Sequence, residues 1–381
     1  MSTLKDALPW TLSPLIINAP MAGFAGGALA SAVTLAGGLG LIGGLFNVDD
    51  VRKELRIASE TIAASSMLSS SNTLPVGVGF LPFVLKLDDV LPVIEEHKPA
   101  VVWLFAAKEL DDYATWAAAL RHASPESQIW VQVGSVSAAL QVARTAKPDT
   151  LCLQGADAGG HGFEKGAGII SLVPEACDSL AREGLSHISI IASGGIVDGR
   201  GVAAALSLGA EGVVMGTRFL ASNEVNIHPQ YQAAVLEAED GGQVTTRSKL
   251  FDQLRGPNTW PETYDGRSLM IQSHKDFVNG ISIEEIQRSH SKAVAAGDKG
   301  FRTGLQGRAA IWAGTGVGLV TEVNGAAEIV INVRSEAKNI LAKVAKLDRV
   351  ECARLLANIT RGESASRSRS KDPIPQQQVV C

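Results

Sequence analysis

Charged side chains are scarce in this chain of 381 residues: 19% are Asp, Glu, Lys or Arg, against 46% apolar. A chain so composed buries a large core, which excludes global disorder. The 39 acidic residues outnumber the 34 basic ones, giving a formal net charge of −5. No basic stripe interleaved with aromatics stands along it, so no nucleic-acid partner is expected. Cysteine is sparse as well. Cys152, Cys177, Cys352 and Cys381 are too far apart for paired metal-ligand spacing, so no metal is expected and the thiols are read as reduced. The opening MSTLKDALPW has no basic segment leading into an apolar stretch, so a cytoplasmic location is expected.

Uncharged sequence is what the chain has in excess. The run from Asn18 to Asn47 carries no charge and is long enough to span a bilayer. Eight glycines between Pro20 and Phe46 cut it into strand, loop, helix and strand, so no membrane partner is expected. A βα period follows. Strands are predicted at Leu15–Asn18, Leu39–Ile42, Val76–Phe80, Ala100–Phe105, Ile129–Val133, Leu151–Leu153, Ile188–Ala192 and Gly212–Met215. Helices fall between them, the sixth beginning at Pro174. Eight strands alternating with helices over about 220 residues point to an α/β fold, a (β/α)₈ TIM barrel, with an open doubly wound sheet as the rival. The barrel is assigned to residues 1–224. Residues 225–308 read as a mainly helical elaboration after strand eight that covers the site, residues 309–347 as a return to the barrel with a closing helix from Ala326, and 348–381 as an extension with a disordered tail.

In such a barrel the loops after the strands share one face. Four of these loops are glycine-rich: PMAG at Pro20–Gly23, QGADAGGHG at Gln154–Gly162, SGGI at Ser193–Ile196 and MGTRF at Met215–Phe219. Glycine lets backbone approach a flat ligand, and backbone N–H groups at helix starts seat phosphate. A phosphate-bearing cofactor is implied. His161 stands among Gly155, Gly159, Gly160 and Gly162, where its near-neutral titration suits it to accept a proton from a bound substrate. An ordinary histidine on a surface turn is the bland alternative. Asp157 and Glu164 flank the ring and are candidates to orient it. Arg218 is a candidate for phosphate or for a helix cap. Phe24, Phe80 and Phe105, at strand ends, are read as pocket walls or core. The other histidines, His290 among them, are scattered.

These residues resemble the nitronate monooxygenase family, once called 2-nitropropane dioxygenases, which are FMN-dependent (β/α)₈ barrels. The likeness runs from about Leu15 to Ala345 and is most specific at Ala19–Gly23, Ala36–Gly40, the AGGHG core of Gln154–Gly162, Gly194–Ile196, Val214–Phe219 and Gly314–Gly318. It implies that Met21, Ala22 and Gly23 line the flavin ring and that Gln154 and Gly159 bind FMN. Gly194, Gly195, Met215, Gly216 and Thr217 would then hold its ribityl phosphate, with Gly79, Gln132 and Gly160 completing the cofactor set. His161 matches the catalytic histidine. The chain departs from the common pattern at Gly79, where many relatives carry asparagine, at Asp157, where glutamate is frequent, and in lacking an arginine just after His161.

The implied activity is oxidation of alkyl nitronates or nitroalkanes by O2 to carbonyl compounds and nitrite. Two alternatives stay open: an NAD(P)H-dependent flavin reductase of enoyl thioesters on the same barrel, and a non-catalytic ligand-binding barrel. A homo-oligomer is compatible with either.

Overall fold

The computed structural model describes residues 4–44, 47–65 and 72–366. Its strands are β1 (Leu15–Asn18), β2 (Leu41–Gly43), β3 (Leu74–Phe80), β4 (Pro99–Leu104), β5 (Gln128–Val133), β6 (Thr150–Gln154), β7 (Gly160–Phe163), β8 (Ser189–Ser193), β9 (Gly212–Met215), β10 (Thr245–Ser248) and β11 (Tyr264–Leu269). Eight of them form one parallel sheet in the order β1-β9-β8-β6-β5-β4-β3-β2. The ring then closes on itself. Ile17 bridges Leu39, and the Asn18 amide spans the seam, donating to the Leu41 carbonyl at 2.7 Å and accepting from the Leu41 N–H at 3.0 Å. The fold is therefore the (β/α)₈ barrel, and the open sheet is set aside.

The barrel strands are largely apolar because both faces are covered. Leu151 and Leu153 of β6 face the helical layer together with Val131, Val102 and Val78. Cys152, between them, points inward with Trp103, Trp130, Ile191 and Val214 and fills the barrel. The surrounding helices are α1 (Leu4–Ala7), α2 (Gly27–Leu35), α3 (Val48–Ala63), α4 (Leu87–His97), α5 (Asp112–Ala123), α6 (Val136–Thr145), α7 (Ile169–Arg182) and α8 (Gly199–Ser207). Helix α7 begins five residues before the expected Pro174. Proline there removes only the bond to the Ile170 carbonyl, and Ile170 is 68% exposed, so that carbonyl lies near water.

After β9 comes the elaboration, with α9 (Pro229–Glu237), α10 (Gly241–Val244), α11 (Leu250–Gln253), α12 (Gln272–Val278) and α13 (Ile283–Val294). It also holds a small antiparallel sheet in the order β10-β11-β7. The histidine segment is thus not a free loop but the edge of that sheet, with His161 opposite Gly266. The elaboration has its own core, in which Tyr231, Val235, Phe251, Leu269, Ile286, Ile311 and Val317 are buried. The closing helix α14 spans Ala326–Ser366, well past Leu347, since residues 348–361 contain neither glycine nor proline. The first residues of the serine-rich tail belong to this helix, and the rest of the tail lies outside the described residues. No helix among the described residues is long and apolar enough to cross a membrane.

Candidate active site

Between the C-terminal ends of the barrel strands and the elaboration lies a cavity of about 730 Å³, within the size range of cofactor pockets. The barrel brings Met21 and Ala22, Gly79, Gln132, Gln154, Gly159 and Gly160, Gly194 and Gly195, and Gly216 and Thr217 to its wall, together with His161. Two of the predicted residues stand off it. Gly23 turns the chain away at φ +78°, its carbonyl accepting from Asn226. Met215 ends β9 with its side chain fully buried against the helical layer, because residues alternate across a strand and Met215 falls on the outer face.

Two glycines are fixed by close approach. A Cβ on Gly159 would sit 2.4 Å from the Ala313 carbonyl carbon, and one on Gly194, at φ +106°, would sit 2.8 Å from the Gly155 oxygen. Gly216 differs. A Cβ there meets nothing nearer than Ala19 Cβ at 3.6 Å, so its missing side chain leaves room in the cavity. Gln154 is held by donating to the His161 carbonyl at 3.1 Å. Gln132 is 7% exposed and presents its amide on the wall. A wall of close-approaching backbone, open space at Gly216 and polar amides fits a flat cofactor ending in phosphate.

The His161 ring is held on three sides. Its Nε2 lies 2.7 Å from Asp252 Oδ1. Trp260 stacks on it at a centroid distance of 3.6 Å and an interplanar angle of 6°, and Trp312 lies at 4.7 Å, tilted by 49°. The two carboxylates nearest in sequence are engaged elsewhere. Asp157 accepts from Thr315 Oγ1 at 3.1 Å, and Glu164 pairs with Lys249 at 3.1 Å. Arg218 turns away from the cavity, donating to the Glu322 carbonyl and the Asn324 side chain, so it serves the connection into α14 rather than a phosphate.

A family profile described as nitronate monooxygenase matches residues 121–336. Nitronate monooxygenase npaC of Metarhizium robertsii is 44% identical over 349 residues, 90% of this chain and 96% of that protein. The chain belongs to the nitronate monooxygenase family. It is accordingly a flavin oxidoreductase. The Neurospora crassa nitronate monooxygenase is 36% identical over 366 residues, covering 90% of this chain and 94% of that one. Among solved structures, FabK from Thermotoga maritima superposes with a TM-score of 0.69 at 28% identity, over 91% of this chain and 99% of its own. The nitroalkane oxidase of Streptomyces ansochromogenes shares the fold, with a TM-score of 0.65 at 23% identity over 87% and 98% of the two chains.

In this nitronate monooxygenase-family chain the outer wall of the cavity is aromatic. Phe24 and Phe105 line it as walls, joined by Tyr231, Phe251, Phe301, Trp260 and Trp312, while Phe80 borders it but is buried in the helical layer. Arg255 and His290 also reach it. Burial first, and then the Arg255 charge, hold His290 below the usual histidine range, which keeps that ring neutral near pH 7. Asp252, Arg255, Trp260, His290 and Trp312 were not identified from sequence. Trp312 stands two residues before the Gly314–Gly318 motif, the others come from segments without one, and the signal all five share is a high aromatic content between Phe251 and Trp312.

Proposed function

We propose that the protein binds FMN in this cavity and oxidises alkyl nitronates, and the nitroalkanes that give rise to them, with O2 to carbonyl compounds and nitrite. The observation that carries the reading is His161, held against Asp252 and Trp260 on the wall of a glycine-lined cavity. The backbone at Gly194, Gly195, Gly216 and Thr217 would hold the terminal phosphate through its N–H groups. Met21, Ala22, Gly79, Gly159 and Gly160, which line the cavity, would take the flavin ring, and the Gln132 and Gln154 amides would offer it polar contacts. Bound flavin supplies the acceptor for the substrate's electrons. His161 takes the proton from the carbon that bears the nitro group when the substrate arrives neutral, and a nitronate, having already lost it, needs no base.

The test is a product analysis on the purified holoprotein. Flavin freed by heat should be FMN, and propyl-2-nitronate in air should yield acetone and nitrite. A flavin-replete protein that yields no nitrite overturns the reading, and a colourless protein unable to take up FMN revives the ligand-binding barrel.

A further inference from the structure

We propose that Asp252 is a positioning residue that keeps the neutral His161 ring protonated at Nε2, so that Nδ1 is the nitrogen that takes the carbon proton. This rests on the proposed oxidation of nitroalkanes. The Asp252 carboxylate accepts only, so at 2.7 Å the hydrogen between the two groups lies on Nε2. The lone pair of the neutral ring is then at Nδ1. A half-turn of the ring about its bond to Cβ would put Cε1 in place of Nε2 against Asp252 and move Nδ1 to the opposite edge, and the packing opposes it. Trp260 lies flat against one face at 3.6 Å, Trp312 crowds the ring at 4.7 Å, and the strand register Gly266 to His161 fixes the backbone beneath.

The carboxylate has a second part in the step. Its side chain is 6% exposed, and Oδ2 is buried with no hydrogen-bond partner among the described residues. An acceptor left so poorly satisfied gains most from a neighbour that becomes positive. When Nδ1 takes the proton, the ring's new charge faces that carboxylate across Nε2–H, while its other contacts are indole rings. Asp252 also comes from α11 in the elaboration, whereas His161 follows the barrel strand β6. The base is therefore assembled only when the two parts of the chain are docked.

Asp252→Asn in the holoenzyme is the test. Asparagine keeps the shape but can donate as well as accept, so it no longer dictates which ring nitrogen carries the hydrogen, and a wrong tautomer disables a base. The ratio of kcat/KM for a neutral nitroalkane to that for its nitronate should fall about 10²-fold, within the usual worth of a general base. In wild-type protein with ¹⁵N-labelled histidine, the His161 signals, assigned against His161→Asn, should show a proton on Nε2 and a bare Nδ1. Equal loss on both substrate forms, or a wild-type ring with its proton on Nδ1, overturns the proposal. If wild-type protein oxidises no nitronate, the function proposed above fails, and the ring spectrum still decides the tautomer. It decides alone if the Asn variant loses its flavin.

Discussion

His161 is asked to do one thing, and the two forms of a single substrate separate that task from every structural duty the ring has. General-base catalysis is worth about 10² to 10⁴ in rate, so His161→Asn should slow neutral nitroalkane turnover by that factor and nitronate turnover much less. Steady-state rates on a variant shown to hold its flavin check this, and an equal loss on both removes the base assignment. The residue was legible because glycine crowds around it: Gly155, Gly159, Gly160 and Gly162 mark a backbone built for close approach. Its partners were not. Asp157 and Glu164 stand within four residues of it, yet they serve Thr315 and Lys249, and the carboxylate that meets the ring is 91 residues away. No spacing in one sequence encodes such a contact.

At the level of elements, the proposed phosphate seat lies where β8 and β9 run into Gly194 and Gly216. Gly216 tolerates a Cβ at ordinary contact distance from Ala19 and Met21, so the rest of a larger side chain must enter the cavity. Gly216→Leu should therefore fold, with an unchanged circular dichroism spectrum, and should be purified without flavin; stoichiometric flavin in that variant would remove the seat from the account. Apolar runs and glycine stops located all eight barrel strands to within about two residues, the usual boundary error. Strand β7 was missed for a physical reason. Gly160-His161-Gly162 has neither alternation nor β-branched residues, and it is extended because Tyr264–Arg267, a hundred residues later, pairs with it. Helix α7 shows the opposite error, where one proline outweighed the apolar pattern on both sides of it.

Over the whole molecule, α14 packs between α8 and α2. Ile329, Val330, Val333 and Ala337 are buried in the helical layer, Glu336 accepts from the Gly199 N–H of α8 at 2.8 Å, and Arg334 reaches beneath the ring. Its guanidinium donates to the Pro14, Ala36 and Gly37 carbonyls at 3.2, 2.9 and 2.7 Å, with 5% exposure. Arg334→Met keeps the apolar stem, leaves the Pro14 and Ala36 carbonyls without their donor and the Gly37 carbonyl with the Leu12 N–H alone, which should cost about 2 kcal/mol. Urea unfolding of the two proteins measures it, and a loss under about 0.5 kcal/mol, the usual effect of a surface change, would show that the contact is idle. At the opposite end of the barrel, the elaboration walls a cavity over the ring of glycine loops and brings Asp252, Trp260 and Trp312 to the histidine. That assembly is read here as a nitronate oxidase site rather than a site for a nicotinamide donor. One preparation of flavin-loaded protein decides between them when it is given a nitronate in air and NADH without air. The account predicts nitrite release with uptake of O2 in the first case and an unbleached flavin in the second. Flavin bleached by NADH, with no nitrite formed from the nitronate, would contradict it.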